Sequence, residues 1–127
     1  MIRDWLSAFL NDIMNCKRAG KKETSIVHWS NLILEVLKVM KKEGYIKNIR
    51  IEENKFRKII VEIGKINKCQ AIKPRFPVRK NEFEKYIRRY LPARDIGILI
   101  VSTSKGIMTH KEAIEKGLGG VLLAYCF

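Results

Sequence analysis

The residues with the clearest chemical potential lie near the C-terminal end, where residues 102–106 read Ser-Thr-Ser-Lys-Gly. The hydroxyls, the ammonium group and the backbone N–H groups of such a segment can bind phosphates, sugars and base edges. An apolar run precedes the segment, and Thr109 follows it as the N-cap of a predicted helix, whose N-terminus adds partial positive charge. The pattern predicts an anion-binding loop that connects a strand to a helix.

One alternative is a capped turn that binds no ligand, and the other is catalysis by the same residues. Ser102 or Ser104 would then act as a nucleophile, but the Gly-x-Ser-x-Gly pattern that presents such a serine is absent. The phosphate-loop pattern is absent too, and the two histidines, His28 and His110, are expected at the surface or at a helix start rather than on a metal. We therefore expect no enzyme, no metal and no cofactor. An enzyme acting on RNA or nucleotides through residues 102–106 remains the alternative.

The charge distribution indicates the kind of partner. The 127 residues include 26 Lys and Arg against 13 Asp and Glu, and residues 65–94 hold ten basic side chains but only two acidic ones. Such a concentration is typical of a protein that binds a polyanion. An anionic membrane would require a continuous basic amphipathic helix, whereas three prolines interrupt this stretch. We expect nucleic acid and no membrane, and a protein–protein adaptor fits less well because its surface need not be so basic.

The composition fits a folded, intracellular protein. Hydrophobic residues make up 46% of the sequence, and no apolar run is long enough to span a membrane. The three cysteines, Cys16, Cys69 and Cys126, are far apart, so neither a disulfide framework nor a CxxC zinc site is expected. We predict that they are free, buried or half-buried side chains in a reducing compartment.

Hydrophobic periodicity predicts the elements that position these residues. Residues 1–64 give a helix over 2–16, a strand over 23–28, a helix that begins after Ser30 and ends at Gly44, and strands over 45–52 and 56–63. Residues 65–127 give a strand over 66–72, an extended segment at 74–77, a helix over 81–89 capped by Asn81, a strand over 96–101, a helix over 109–116 and a strand over 121–127.

These elements predict an α+β fold of two small packed lobes. Residues 1–64 would form an N-terminal lobe with the order α-β-α-β-β, and residues 65–127 a C-terminal lobe that is mostly β with short helices. Each lobe alone is near the lower size limit for independent stability, so we expect the two lobes to pack on each other.

The second half of the chain resembles a known family. Residues 97–120 contain, in order, Gly-x-x-x-Val-Ser-Thr-Ser-Lys-Gly-Ile-Met-Thr, Glu-Ala and Gly-x-Gly-Gly. These patterns are similar to the C-terminal part of the universal small-subunit ribosomal protein eight family. Residues 65–69, 73–76 and 91–94 resemble its archaeal and eukaryotic cytosolic branch, and residues 36–46 resemble its N-terminal half. The resemblance covers nearly the whole chain.

The resemblance implies a structural, RNA-binding protein of the small ribosomal subunit in the cytoplasm. Members of the family bind the central domain of the small-subunit rRNA, chiefly an irregular stem, and help that domain to assemble. Neighbouring small-subunit ribosomal proteins are the implied protein partners. Members often also repress translation by binding the messenger RNA of their own operon, and such a partner is allowed here.

Carried over position by position, the resemblance implies rRNA contacts in both lobes. They are Ser102, Thr103, Ser104, Lys105, Gly106, Lys73, Arg75, Phe76, Arg79, Gly119 and Gly120 in the second lobe, and Asn11, Asn15, Lys17, Arg18 and Ser30 in the first. The chain departs from the family at Trp5, usually proline, at Asn31, usually lysine, at Gln70, usually glycine, and at Val121, usually charged. We expect Val121 and Asn31 each to have cost the chain one polar RNA contact.

Overall fold

The fold comprises two compact units, Met1–Cys69 and Gln70–Phe127. The structure is a computed structural model that describes residues 5–26, 31–53, 57–72, 75, 77–93 and 95–127. The sequence-based boundary after residue 64 lies a few residues before this division. Within the described residues, no helix is long and apolar enough to cross a membrane.

The first unit has the predicted order of elements. They are α1 (Trp5–Arg18), β1 (Glu23–Ile26), α2 (Asn31–Lys42), β2 (Ile46–Glu53) and β3 (Arg57–Ile63). The strands form an antiparallel sheet in the order β1-β3-β2. The predicted N-cap of α2, Ser30, lies outside the described residues, as do His28 and most of the turn between β2 and β3.

Glycines end both helices of the first unit, as the sequence predicts. Gly44 has a φ of 87°, a conformation that side chains other than glycine rarely adopt. Its N–H donates to the Lys41 carbonyl, and the Tyr45 N–H donates to the Met40 carbonyl at 2.9 Å. This pair of bonds is the Schellman arrangement that satisfies the last carbonyls of a helix. The same arrangement ends α1 at Gly20.

The buried side chains of the first unit come from one stripe of each helix and from alternate positions of β3. The fully buried residues include Phe9, Leu10, Ile13, Val36, Leu37, Met40, Ile59 and Val61. The helical spacing of the first six and the alternation of the last two are the patterns that predicted these elements. Burial of these apolar surfaces is the main stabilising contribution to the unit.

The second unit is built on a sheet whose central strand comes last in the chain. Its elements are β4 (Cys69–Ala71), β5 (Pro77–Val78), α3 (Phe83–Tyr90), β6 (Ile98–Thr103), β7 (Gly106–Thr109), α4 (His110–Lys116) and β8 (Gly120–Cys126). Strand β8 pairs with β4, β5 and β6, and β6 also pairs with β7. One buried apolar cluster includes Phe83, Ile87, Leu99, Val101, Met108, Ala113 and Leu122, so both helices pack on this sheet.

The predicted strand-to-helix loop is wrong. Strand β6 continues through Thr103, β7 begins at Gly106, and only Ser104 and Lys105 form the turn between them. The run of hydroxyl residues at 102–104 is locally typical of a loop. The antiparallel pairing of β6 with β7 overrides that local polarity, because it satisfies the backbone of the hydroxyl residues as a strand.

The two predicted caps in the second unit have different outcomes. The Thr109 hydroxyl oxygen accepts a hydrogen bond from the Glu112 N–H at 3.2 Å, which confirms it as the N-cap of α4. Asn81 is not the cap of α3, because the helix begins two residues further on and Glu82 occupies the N-cap position without a side-chain bond.

His110 is the first residue of α4, which confirms the expected helix start, but it is buried rather than at the surface. Its side chain is 1% exposed, and its Nδ1 accepts a hydrogen bond from the Leu99 N–H at 3.1 Å. Strand β7 ends just before His110, so the imidazole supplies the acceptor for β6 where the strand pairing stops. Burial, and secondarily the charge of Lys111, lowers the pKa of His110 from 6.5 to about 4.

We expect His110 to make folding sensitive to mild acid. The folded-state pKa is below the ordinary value, so the neutral imidazole contributes fully above pH 6.5, and this contribution is lost as the pH falls toward 4. The shift corresponds to about 3 kcal/mol of unfolding free energy. Urea unfolding from pH 7 to pH 4 tests this, with His110→Asn as the control that keeps an acceptor oxygen but does not titrate. An equal loss of stability in both proteins would contradict a buried neutral histidine.

Candidate nucleic-acid interface

The tip of the β6–β7 hairpin carries the predicted binding residues Ser104 and Lys105. Both are exposed, and they lie between Thr103 and Gly106, which pair with each other. The Thr103 hydroxyl donates to the Gly106 carbonyl at 2.8 Å and accepts from the Lys105 N–H at 3.1 Å. The Thr103 side chain therefore closes the turn, which leaves the serine hydroxyl and the lysine ammonium group available to a partner.

A glycine is needed at position 106 because of the backbone conformation there, and not because neighbouring atoms leave no room for a side chain. Its φ is 113°, and a Cβ built at this position would have nothing within 4 Å. A side chain would be strained here because L residues rarely adopt this conformation. The glycine of the motif therefore sets the shape of the hairpin tip.

Strand register brings the separate parts of the predicted site together. Thr103 pairs with Gly106 on one side and with Gly120 on the other, and Gly120 pairs with Val78 of β5. Neighbouring strands are about 5 Å apart. The hairpin tip, the glycine pair Gly119 and Gly120, and Arg79, which follows Val78, therefore lie at the same end of one sheet.

The glycine pair permits close contact within the chain. A Cβ at Gly120 would overlap the Ser102 carbonyl oxygen, and one at Gly119 would come within 2.6 Å of the Val78 carbonyl oxygen. The family resemblance implies that these glycines contact rRNA, and the structure gives them a role within the chain, the close approach of neighbouring strands. Their assignment as rRNA contacts stays a prediction.

Val121 follows Gly120 on β8. It pairs with Ser102 on β6 and with Pro77 on β5, and both Ser102 and Val121 are half-buried. Residues that face each other on antiparallel strands place their side chains on the same face of the sheet. Val121 therefore lies beside a hydroxyl of the predicted site.

Arg79, directly after β5, is a weakly paired basic residue. Arg75 and Arg79 are exposed, and the Arg79 Nε is 3.9 Å from a Glu82 carboxylate oxygen with 86% of the arginine side chain exposed. Exposed ion pairs of this length contribute little to stability, so the arginine is available to an anionic partner. The predicted contacts Lys73 and Phe76 lie outside the described residues.

Gln70, one of the departures from the family pattern, makes a contact within the second unit. Its Oε1 accepts a hydrogen bond from the Tyr125 hydroxyl at 2.9 Å. The side chain thus holds a ring of β8 in place. This bond joins residues distant in sequence, so local pattern could not predict it.

The predicted contacts of the first unit share a helix. Asn11, Asn15 and Arg18 are exposed and follow the helical spacing i, i+4 and i+7 along α1, so they share one face. Lys17 is exposed in the last turn, while Ser30 lies outside the described residues.

The described residues contain no group of three or more His, Cys, Asp or Glu side chains that could hold a metal ion. All three cysteines are free, with Cys69 and Cys126 buried and Cys16 half-buried, which confirms the prediction for them.

Comparison with known families assigns the chain to a class of ribosomal proteins. The family model described as ribosomal protein S8 matches residues 4–127. Among individual proteins, the chain is 48% identical over 129 residues to the small ribosomal subunit protein uS8 of Nanoarchaeum equitans (strain Kin4-M), with the whole of both chains covered. The chain belongs to the ribosomal protein S8 family.

Family membership confirms several expectations. The resemblance was correctly identified from its motifs, and the family is one of structural ribosomal proteins rather than enzymes. The chain is accordingly a small-subunit ribosomal protein, as predicted, with the ribosome of the cytoplasm as its location.

We expect substitution of Gly120, which allows a close backbone approach, to destabilise the fold more than substitution of Gly106, which adopts a positive φ. Gly120→Ala should lower the free energy of unfolding by more than about 2 kcal/mol, because the new Cβ meets a backbone carbonyl that must move. Gly106→Ala should cost only about 1 kcal/mol, because the exposed turn has room and the cost is conformational. Urea unfolding of both variants measures the difference, and the reverse order would contradict the strand register.

Proposed function

We propose that the chain binds the central domain of the small-subunit rRNA and supports the folding and assembly of that domain. One observation carries the proposal: the register of β5, β6, β7 and β8 places the hairpin tip, the glycine pair and Arg79 at one end of one sheet. This end belongs to a chain with a net charge of +13. A rigid polar tip beside basic side chains is what an irregular RNA stem would require.

The chemistry of the hairpin tip suits RNA. Ser104 offers a hydroxyl that can both donate and accept, which matches a ribose 2′-hydroxyl or a base edge. Lys105 offers an ammonium group to a phosphate. The minor groove of an RNA helix is wide and shallow and displays 2′-hydroxyls, so a narrow two-residue tip can reach into it.

The first unit supplies the secondary contacts in this proposal. Asn11, Asn15, Lys17 and Arg18 would bind the backbone of the same RNA through exposed amide and cationic groups. Neighbouring small-subunit proteins are the proposed protein partners. The messenger RNA of its own operon would be a further partner if it presents a similar irregular stem.

We expect rRNA binding to depend on salt and on Ser104. The logarithm of the association constant should fall with the logarithm of salt concentration, with a slope of about −0.7 to −0.9 for each phosphate contact. Ser104→Ala should weaken binding by about 0.5 to 1.5 kcal/mol, the net value of a placed hydrogen bond.

The matched controls for this experiment are Ser25→Ala, which removes an exposed serine of β1, and Lys21→Ala, which removes an exposed charge. Filter binding to a central-domain rRNA fragment at several salt concentrations measures all variants. A flat salt dependence would exclude RNA as the partner, and equal losses in Ser104→Ala and the controls would exclude the hairpin tip.

We expect Val121→Arg to tighten rRNA binding. The family usually has a charged residue here, and Val121 lies beside Ser102. A long side chain at this half-buried position can extend to the surface and form a charge-assisted hydrogen bond, for a gain of about 1 kcal/mol. Affinity and a melting curve are measured together. Loss of folding would show that valine is needed for packing, and unchanged affinity would show that the RNA does not reach this position.

A further inference from the structure

Helix α3 presents a strongly basic side that the predicted site does not use. Phe83 and Ile87 are buried beneath the helix, at 1% and 5% exposure. The opposite side carries Lys85, Arg88 and Arg89, all exposed. The helix therefore fixes three cations on a short, rigid element.

The acidic residue on this helix neutralises little of that charge. An Arg88 guanidinium nitrogen is 4.0 Å from a Glu84 carboxylate oxygen, and 80% of the arginine side chain is exposed. An ion pair this long and this exposed is screened by water and salt. Arg88 is therefore available to a stronger anionic partner.

The same helix places an aromatic ring beside the cations. Tyr90 is half-exposed and stacks on Tyr125, with ring centroids 5.3 Å apart and planes 27° apart. Tyr125 stacks in turn on Phe127 at 6.3 Å and 12°. Gln70 accepts a hydrogen bond from the Tyr125 hydroxyl, and this bond holds the column of the three rings, Tyr90, Tyr125 and Phe127, in place.

Cations lie over the rings of the helix itself. The Arg89 guanidinium carbon is 5.3 Å from the Tyr90 ring centroid, and the Lys85 Nζ is 5.7 Å from that of Tyr86. A planar guanidinium over an aromatic ring occupies the kind of position that a nucleotide base takes when it stacks.

We propose that α3 is a second RNA-binding surface, the α3 surface. An unpaired base displaces the Arg89 guanidinium from the Tyr90 ring and stacks there, while Lys85, Arg88 and Arg89 bind the flanking phosphates. Aromatic rings interleaved with cations are the usual means of holding single-stranded RNA without sequence preference. The inference rests on the proposed function in taking RNA as the partner, but it uses none of the residues of the hairpin tip.

An acidic polypeptide is the competing partner for so basic a helix. It would use the cations, but it has no π-face of its own to place on Tyr90. The ordered ring column favours a nucleotide, because bases stack on aromatic rings and carboxylates do not.

The experiment measures binding of fluorescently labelled octaadenylate RNA to the full chain by anisotropy. Arg88→Gln combined with Arg89→Gln should weaken binding and should reduce the magnitude of the salt slope by about 1.4, two single-strand phosphate contacts. Tyr90→Leu should weaken binding at least about five-fold, and Tyr90→Phe should retain it because the ring remains.

The matched control is Lys41→Gln combined with Lys42→Gln. This pair removes the same charge from the same place, the last turn of a helix, in the first unit. The control should change binding less than two-fold. Equal effects of the two pairs, or displacement of the RNA by octaglutamate as readily as by unlabelled octaadenylate, would overturn the α3 surface.

Melting curves test whether Tyr90→Leu is folded. If it is not, the Arg88→Gln and Arg89→Gln double variant, which changes only exposed side chains, still tests the surface. If the wild type binds the rRNA fragment but not octaadenylate, the α3 surface is wrong and the proposed function stands. If it binds octaadenylate but not the rRNA fragment, the proposed function is wrong and the α3 surface stands.

Discussion

The absence of a side chain at Gly120 allows three strands to meet at one end of the second unit. The Cα of Gly120 lies so close to the Ser102 carbonyl that a Cβ would overlap it, and a Cβ at Gly119 would come within 2.6 Å of the Val78 carbonyl oxygen. Through these contacts β6, β8 and β5 are held in register, and β6 in turn holds the hairpin tip. The residues proposed to bind RNA are thus positioned by paired strands, which fix a binding group more precisely than a loop does.

The local features of the fold were predictable because local physics determines them. The apolar stripes of α1 and α2 appear in the sequence at helical spacing, and Gly20 and Gly44 end these helices as expected. Thr109 was identifiable as a cap because its Glu112 partner lies three residues away. Strand β7 was missed because β6 ends in Ser102 and Thr103, and these two residues with Ser104 of the turn resemble a loop. The burial of His110 was missed because its acceptor role depends on Leu99 of β6, which local sequence does not reveal.

The candidate site was predictable as a set of residues but not as a surface. The string at residues 102–106 and its family resemblance supplied the candidate binding residues. Nothing in that string indicates that Thr103 pairs with Gly120, or that Gly120 pairs with Val78. These pairings join residues far apart in sequence. The ring column of Tyr90, Tyr125 and Phe127 has the same origin, because it forms only when a helix and a terminal strand come together.

The buried polar side-chain atoms of the described residues all have hydrogen-bond partners, whereas the charge of the chain is not balanced. No buried side-chain nitrogen or oxygen lacks a hydrogen-bond partner in the part of the chain that the structure describes. The ion pairs between Arg50 and Glu23 and between Lys58 and Glu52, by contrast, have side chains that are 36% exposed or more. Such pairs offset little of the repulsion that a net charge of +13 creates in a compact chain. A bound polyanion would remove that repulsion in the folded state. Because a partner that binds only the folded state also stabilises it, the same basic side chains would link RNA binding to the stability of the fold.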